Sequence, residues 1–269
     1  MLKRLLKYEY KNLSRMLWPI LLGMLGLSVL GFGIVEIIIL TLDDLFITLF
    51  MLGTFCGFLV IAILLAPVVA IFIIVMRFYK NMFTDEGYLS FVLPVSIHTQ
   101  LTAKLISGSL WTLIYTVASM LAFGIFFGIP ILIHGGDFLA ELWSVLLALL
   151  GARPFTAVLY LFEILLAVVV GAISQTLLYY ASVTVGSTLM PKHKILGSIL
   201  FYFVINAITN ILSGTVGTVL SYTMSMSMLS GSLLLLHLSM FGSILLSVAL
   251  GVAAYIVTAQ MLKNKLNLE

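Results

Sequence analysis

Three ionisable residues interrupt the long apolar runs of this sequence: Glu36, Glu163 and His237. Within a bilayer, an ionisable side chain is costly unless it pairs, reaches water or lines a polar pathway. Counting 1.5 Å per helical residue from the basic ends places Glu36 and His237 near the opposite face. Glu163 follows Arg153 and Pro154 in a run longer than one span requires, which places it in the outer third of its span. We therefore expect that these three residues either reach water at the membrane interface or line a polar outer vestibule.

Three amide side chains also lie in apolar runs: Gln175, Asn206 and Asn210. Asn206 and Asn210 are four residues apart and therefore share one face of a helix. Buried amides of this kind either hydrogen-bond between membrane helices or line a transport pathway. Both roles stay open at the level of the sequence.

Other reactive arrangements are missing from the sequence. Cys56 is the only cysteine, so it forms no disulfide within the chain, and no cluster of metal ligands surrounds it. No phosphate-binding Gly-x-x-x-x-Gly-Lys-Ser/Thr loop and no His-Glu-x-x-His motif occurs. We expect no catalytic, metal or cofactor site in this chain, and we expect that it is not itself an enzyme.

The composition places these residues in an all-α integral membrane protein. Of the 269 residues, 62% are hydrophobic and 9% are charged, whereas about a quarter are charged in a soluble domain. The net charge of +3 is too small to indicate a nucleic-acid partner. Membrane lipid is the expected environment.

Six stretches are long enough to cross a bilayer, which takes about 20 apolar residues, and they form a single transmembrane domain over residues 1–269. The uncharged run between Lys194 and Lys263 is too long for one crossing and must fold back. Glycine and hydroxyl residues favour the break at 214–232, which we expect to be an outer re-entrant segment. The predicted spans are 17–40, 48–76, 105–133, 155–190, 195–213 and 233–260.

The basic residues predict the orientation. With six spans, every lysine and arginine except Arg153 lies on one side, as the positive-inside rule requires of the cytoplasmic side. Both termini are then cytoplasmic, in the cell (inner or cytoplasmic) membrane. Residues 138–150 are apolar but short, so we expect an outer interfacial or re-entrant helix. A seventh span there would place Lys192 and Lys194 outside.

Two segments outside the spans carry further signals. Residues 1–16 combine leucines at helical spacing with five basic residues, which predicts an amphipathic interfacial helix or a plain basic anchor. Residues 77–104 form a cytoplasmic loop whose middle is apolar, so it should bury itself against the helices or in a partner. Thr84 resembles a helix N-cap, and Pro94 would end that helix.

The order Glu86-Gly87, Leu89, then Leu-Pro-Val-Ser at 93–96 and Lys104 at the next span resembles the loop between spans two and three of ABC type-2 transporter permeases. The amphipathic N-terminal helix, the six spans and the cytoplasmic ends are similar too. These permeases are the membrane subunits of bacterial ABC exporters. One departure is that the charged run before the glycine is reduced to Asp85 and Glu86.

The resemblance implies that this loop is a coupling helix, which docks into a cleft on a separate ABC ATPase subunit. Two ATPase copies would bind the ATP and magnesium, and a second permease copy or a paralogous permease would complete a dimer. Export by alternating access would then act on an amphipathic or hydrophobic substrate such as a peptide, lipid or drug. The docking residues it implies are Thr84, Asp85, Glu86, Gly87, Tyr88, Leu89, Phe91, Leu93 and Pro94.

Two other functions remain open. An immunity or sensor subunit would use the same fold without transport. A secondary transporter would need ion-coordinating residues near the middle of the membrane and usually an internal repeat, and neither is clear in the sequence.

Cysteine labelling tests the six-span topology. In a Cys56→Ser background, single cysteines in intact cells should react with an impermeant maleimide only at outside positions, because the positive-inside rule fixes the other loops in the cytoplasm. Labelling at position 192 would contradict six spans. The outside positions are 44, 137 and 227, and the protected positions are 80, 192 and 263.

Overall fold

In a computed structural model, the described part of the chain folds into long α-helices and contains no β-strand. Six of these helices are long and apolar enough to cross a membrane, which confirms the predicted all-α, multi-pass class and the number of spans. The structure describes residues 2–41, 44–84, 87, 95–134, 136, 140–141, 144, 154–230 and 233–264.

Seven α-helices and two short helical turns have bounds in the described part of the chain. In chain order they are α1 (Leu2–Thr41), α2 (Leu45–Phe83), α3 (Ile97–Phe123), a π-helical turn (Gly124–Gly128), α4 (Ile129–His134), α5 (Pro154–Leu189), a 3-10 turn (Pro191–His193), α6 (Lys194–Ser230) and α7 (Leu233–Asn264).

The first helix joins two parts that we predicted separately. α1 runs through 40 residues without a break, so residues 2–16 and the first span belong to one helix that contains Pro19. A similar continuity joins α3 to α4, where Pro130 lacks the N–H of a regular turn. The π-helical turn at Gly124–Gly128 ends two residues before that proline. Turns of this kind are a recognised way to absorb an interruption within a helix.

We predicted a re-entrant segment at 214–232, and over residues 214–230 this prediction is wrong. α6 continues through these residues without a break and ends at Ser230. The hydroxyl groups that favoured a break bond back into the helix instead. Thr215 donates to the Leu212 carbonyl at 2.8 Å, and Ser221 donates to the Thr218 carbonyl at 2.9 Å. These bonds satisfy the hydroxyl groups without solvent, so the segment stays helical.

The chain divides into two units, each with its own core. Unit 1 comprises Met1–Tyr10, Ile74–Leu110 and Val158–Glu269, and its core packs Leu177 and Ala181 of α5 against Ala254 of α7.

Unit 2 comprises Lys11–Ile73 and Trp111–Ala157. There, the buried Tyr115 hydroxyl donates to the Leu17 carbonyl at 2.7 Å, and the rings of Trp18 and Trp111 meet edge to face at 5.9 Å. The unit is therefore organised around contacts between α1 and α3.

Close helix packing in unit 1 depends on particular glycines. A side chain at Gly186 of α5 would collide with the backbone of α6 at Gly197, and one at Gly251 of α7 would collide with Ser174 of α5. By contrast, the Gly-x-x-x-Gly steps at 53 and 57 and at 124 and 128 face open space within the described chain. Those two steps therefore do not mediate packing within the described chain.

Replacing Gly186 by alanine should destabilise the protein by about 1 to 3 kcal/mol, because its methyl group has only backbone to displace. The matched variant Gly57→Ala faces open space and should be neutral, or stabilising by up to about 1 kcal/mol through helix propensity. Unfolding of the full chain in detergent micelles measures both. Equal stability of the two variants would show that α5 and α6 do not cross at Gly186.

Candidate functional site at the base of the loop between α2 and α3

The loop from 84 to 96 joins α2 to α3. Of the residues predicted to dock an ATPase, the structure describes Thr84 and Gly87. The docking surface therefore stays a prediction, whereas both flanks of the loop are described. The predicted docking residues outside the described part are Asp85, Glu86, Tyr88, Leu89, Phe91, Leu93 and Pro94.

Local hydrogen bonds define the two ends of this loop. The Thr84 hydroxyl donates to the Lys80 carbonyl at 2.5 Å, which satisfies a terminal carbonyl of α2, and the Gly87 N–H donates to the Thr84 carbonyl at 2.7 Å. At the other end, the Ser96 hydroxyl oxygen accepts the Thr99 N–H at 3.3 Å. Ser96 is thus the N-cap of α3.

The Glu9 carboxylate of α1 bonds to both flanks of the loop. Its Oε1 accepts from Lys104 Nζ on α3 at 2.5 Å and from Asn81 Nδ2 on α2 at 3.2 Å. Asn81 lies in the last turn of α2, and Lys104 lies two turns into α3. A single carboxylate therefore joins the two helices that the loop connects. We call Glu9, Asn81 and Lys104 the loop-base cluster.

Burial makes the loop-base cluster energetically significant. The side chains of Lys104 and Glu9 are 8% and 17% exposed. The Glu9 charge depends on its cation, because removing Lys104 would leave the carboxylate largely desolvated with only the Asn81 amide as a partner. Asn81 is also buried, and its amide satisfies the same carboxylate oxygen. Within unit 1, the three helices are thus joined by a polar contact that is largely shielded from solvent.

A fourth helix joins the cluster through Tyr180 of α5. Its hydroxyl donates to the Lys104 carbonyl at 3.2 Å, and its ring stacks on Phe78 of α2 at 4.0 Å between centroids. Tyr180 is fully enclosed, and the absence of a side chain at Gly108 leaves room for its hydroxyl. The helix α5 is therefore tied to both α2 and α3 beside the loop.

The start of α3 also contacts α7. His98, in the first turn of α3, hydrogen-bonds through Nδ1 to the Tyr255 hydroxyl at 3.1 Å. The loop flanks are consequently linked to each other through Glu9 of α1 and Tyr180 of α5, and the α3 flank is also bonded to α7.

Glu9 and Asn81 are site residues that we did not predict. Glu9 is the only acidic residue among the first 35, and it lies between basic residues on the amphipathic segment. That isolation is a signal in the sequence, but nothing local identifies Lys104, 95 positions away, as its partner.

A second polar cluster links α5 to α7 and contains two of the residues predicted for a vestibule. Glu163 Oε1 lies 2.7 Å from His237 Nδ1, and the Tyr160 ring stacks on the His237 ring at 4.3 Å. Glu163 is buried, with 3% of its surface exposed. Within the described chain, the second Glu163 oxygen and the Tyr160 hydroxyl have no hydrogen-bond partner. The two predicted residues are thus brought together as a pair.

The remaining predicted pathway residues lie apart along their helices. The Asn206 amide donates to the Tyr202 carbonyl within α6 at 3.0 Å. Asn210 is exposed, and Gln175 and Glu36 are half-buried on α5 and α1. The Asn206 bond is therefore internal to its helix.

Across the described residues, no group of three or more His, Cys, Asp or Glu side chains is arranged to hold a metal ion. Comparison of the chain with protein-family models, curated proteins and solved structures finds no match. Its function must therefore be argued from its own residues.

A double-mutant cycle measures the interaction free energy between Glu9 and Lys104 in the loop-base cluster. Glu9→Leu and Lys104→Met should each destabilise the protein by about 3 kcal/mol, because each removes one charge of an ion pair that is largely shielded from solvent. The double variant should lose far less than the sum, since neither charge remains. Denaturant unfolding in micelles gives the values, with Lys7→Met, at an exposed position of the same helix, as the control. Additive losses would contradict a direct pair.

Proposed function

We propose that this chain is the transmembrane permease subunit of an ATP-binding cassette exporter. It would couple ATP hydrolysis by a separate ATPase subunit to the export of an amphipathic or hydrophobic substrate. The observation that carries the proposal is the Glu9 carboxylate, which bonds Asn81 before the loop and Lys104 after it. A loop that is displaced by a partner can move the membrane helices only if its two flanks are bonded to them.

A docking loop is useful only when its movement reaches the membrane helices. Asn81 and Lys104 hold the flanks to α1, Tyr180 holds α3 to α5, and His98 holds α3 to α7. Packed and bonded elements move as bodies rather than deforming continuously. A push on the loop would therefore shift these helices together, which is what alternating access requires.

The loop sequence supports a protein partner. Leu89, Phe91 and Leu93 are apolar residues in a loop expected to face the cytoplasm. Burying each one in a cleft would contribute about 1.5 to 3 kcal/mol. Because the chain contains no phosphate-binding loop, the nucleotide must be bound by another polypeptide. Two ATPase copies and a second permease copy or paralogue would complete the transporter in the cell membrane.

A proton-coupled secondary transporter is the second candidate, and the Glu163–His237 pair is the observation that favours it. An ionisable pair inside membrane helices can carry a proton. His237 lies near the start of α7, with the rest of that helix extending to Asn264. Glu163 is the tenth of the 36 residues of α5, so both residues lie in the first third of their helices and not at the middle, where a coupling site is expected. The exporter proposal is therefore preferred.

Reversing the chemistry of the loop tests the proposal. The double variant Glu86→Arg, Leu89→Asp should insert normally but lose copurification with the co-expressed ATPase by at least about tenfold, because it places charge where an apolar contact is expected. Lys263→Glu, a charge change at an exposed site on the same predicted side, is the matched control and should bind as the wild type does.

The outcomes separate the alternatives. Loss of both ATPase binding and vanadate-sensitive export in the double variant supports the permease. Normal binding and export by that variant would show that the wrong loop has been assigned. If the wild-type chain binds an ATPase but supports no export, the immunity or sensor role replaces the exporter. Export driven by a proton gradient without an ATPase would support the secondary transporter.

A further inference from the structure

Two hydrogen-bonding atoms beside the Glu163–His237 pair have no partner within the described chain. Glu163 Oε1 lies 2.7 Å from His237 Nδ1, whereas Glu163 Oε2 is buried and receives no donor there. The buried hydroxyl of Tyr160 is unsatisfied in the same way. Because buried polar groups in native proteins are nearly always hydrogen-bonded, these two oxygens indicate a site for a ligand that carries hydrogen-bond donors.

The two oxygens belong to one local group of side chains. Tyr160 and Glu163 are three residues apart and therefore share one face of α5. The Tyr160 ring stacks on the His237 ring with centroids 4.3 Å apart and planes at 14°, and Glu163 bonds to that same imidazole. All three residues lie in unit 1. We call Tyr160, Glu163 and His237 the Glu163 cluster.

The charge of the Glu163 cluster favours a cationic ligand. The Glu163 side chain is 4% exposed, and within the described chain its ion-pair partner is His237. A neutral imidazole donates a hydrogen bond but balances no charge, so the cluster then carries one negative charge away from water, which a cation would stabilise. A protonated imidazole would balance the charge, yet it would leave Glu163 Oε2 and the Tyr160 hydroxyl without a donor.

The surroundings of the Glu163 cluster suit a ligand that also has an apolar part. The His237 side chain is 18% exposed, so the cluster reaches the molecular surface at the imidazole. One turn closer to the middle of each helix, Ile164 and Phe241 share the faces of Tyr160 and His237 and are 47% and 48% exposed. A hydrocarbon tail would cover these two side chains favourably.

We propose that the Glu163 cluster binds the ammonium group of a cationic amphipath. The ammonium group donates to Glu163 Oε2 and to the Tyr160 oxygen, and the tail lies along Ile164 and Phe241. An ammonium group has three donors and no acceptor, so one group can satisfy both oxygens. As a statement about cargo this rests on the exporter proposal, and it narrows the amphipathic substrate to cationic ones. The binding itself requires no ATPase.

Isothermal titration calorimetry of the full chain in detergent micelles tests the site, with octylammonium as the probe. Octyltrimethylammonium has the same chain and charge without N–H donors, and octanol has the chain without the charge. The wild type should bind octylammonium at least about tenfold more tightly than either, because neither can donate a charged hydrogen bond to the carboxylate. Titration of micelles without protein gives the partition of each probe into detergent.

Two variants and their matched controls make the result specific. Glu163→Gln keeps an oxygen for His237 Nδ1 but loses the charge, and it should weaken octylammonium binding at least about tenfold. Tyr160→Phe keeps the stacked ring and should weaken binding about fivefold. Glu141→Gln and Tyr222→Phe make the same changes at exposed positions and should bind as the wild type does. Thermal unfolding shows which variants are folded.

Loss of binding in Glu163→Gln but not in Glu141→Gln supports the site. If Glu163→Gln fails to fold, the comparison of Tyr160→Phe with Tyr222→Phe decides in the same way. Equal octylammonium affinity in the wild type and Glu163→Gln would overturn the proposal and show that water alone satisfies the two oxygens. Equal affinity for octyltrimethylammonium would overturn it too, since no N–H donor would be required. Competition by sodium chloride but not by choline chloride would assign the cluster to a metal cation instead.

The same titrations keep this site separate from the exporter proposal. A chain that copurifies with an ATPase but does not bind octylammonium loses the site and remains a permease. A chain that binds octylammonium through Glu163 but recruits no ATPase keeps the site and loses the permease role.

Discussion

The half-buried carboxylate of Glu9 is the contact on which the arrangement around the loop between α2 and α3 depends. It lies where solvent contributes little, so its charge must be balanced by Lys104, and Asn81 supplies a further hydrogen bond. Removing any one of these groups leaves the others poorly satisfied. Because the three residues come from α1, α2 and α3, this local electrostatic requirement holds together the parts of these three helices that lie in unit 1.

The need of polar groups away from water for a partner also explains how polar residues are distributed over the spans. Most hydroxyl groups bond back to a carbonyl of their own helix, as Thr176, Thr184 and Thr258 do. Such bonds satisfy the hydroxyl group and leave helix packing unspecified. The Glu9 and Glu163 pairs instead join different helices, so they specify which helices meet and at which level. Close approaches at Gly108, Gly186 and Gly251 complete that specification by shape.

The sequence and the structure agree where the signal is local and extended. Long uncharged runs predict six spans because a bilayer admits few other structures, and six such helices are present. The predicted break at 214–232 is wrong, because α6 continues to Ser230. Serine and threonine weaken a helix when their hydroxyl groups compete for backbone groups, but a helix tolerates them when these groups bond to its own carbonyls. Composition alone does not distinguish these two uses.

The candidate site was harder to predict because it depends on distant partners. Lys104 stood out as a charge at the entry to a span, and Glu163 and His237 as charges within spans. Their pairing follows from helix packing, which no single-sequence pattern encodes. Glu9 is separated from Lys104 by 95 positions. Isolated ionisable residues in apolar surroundings are therefore good indicators of a site, whereas the identity of the partner requires the fold.

Double electron–electron resonance tests most directly whether Glu9 holds the two flanks of the loop together. Nitroxide labels at Lys80→Cys and Ile97→Cys, in a Cys56→Ser background, report the distance between the end of α2 and the start of α3. With Glu9 present, the distribution should be single and narrow, and in Glu9→Leu it should broaden or shift to longer distances. Equally narrow distributions at the same distance in both proteins would show that Glu9 does not set the geometry of the loop.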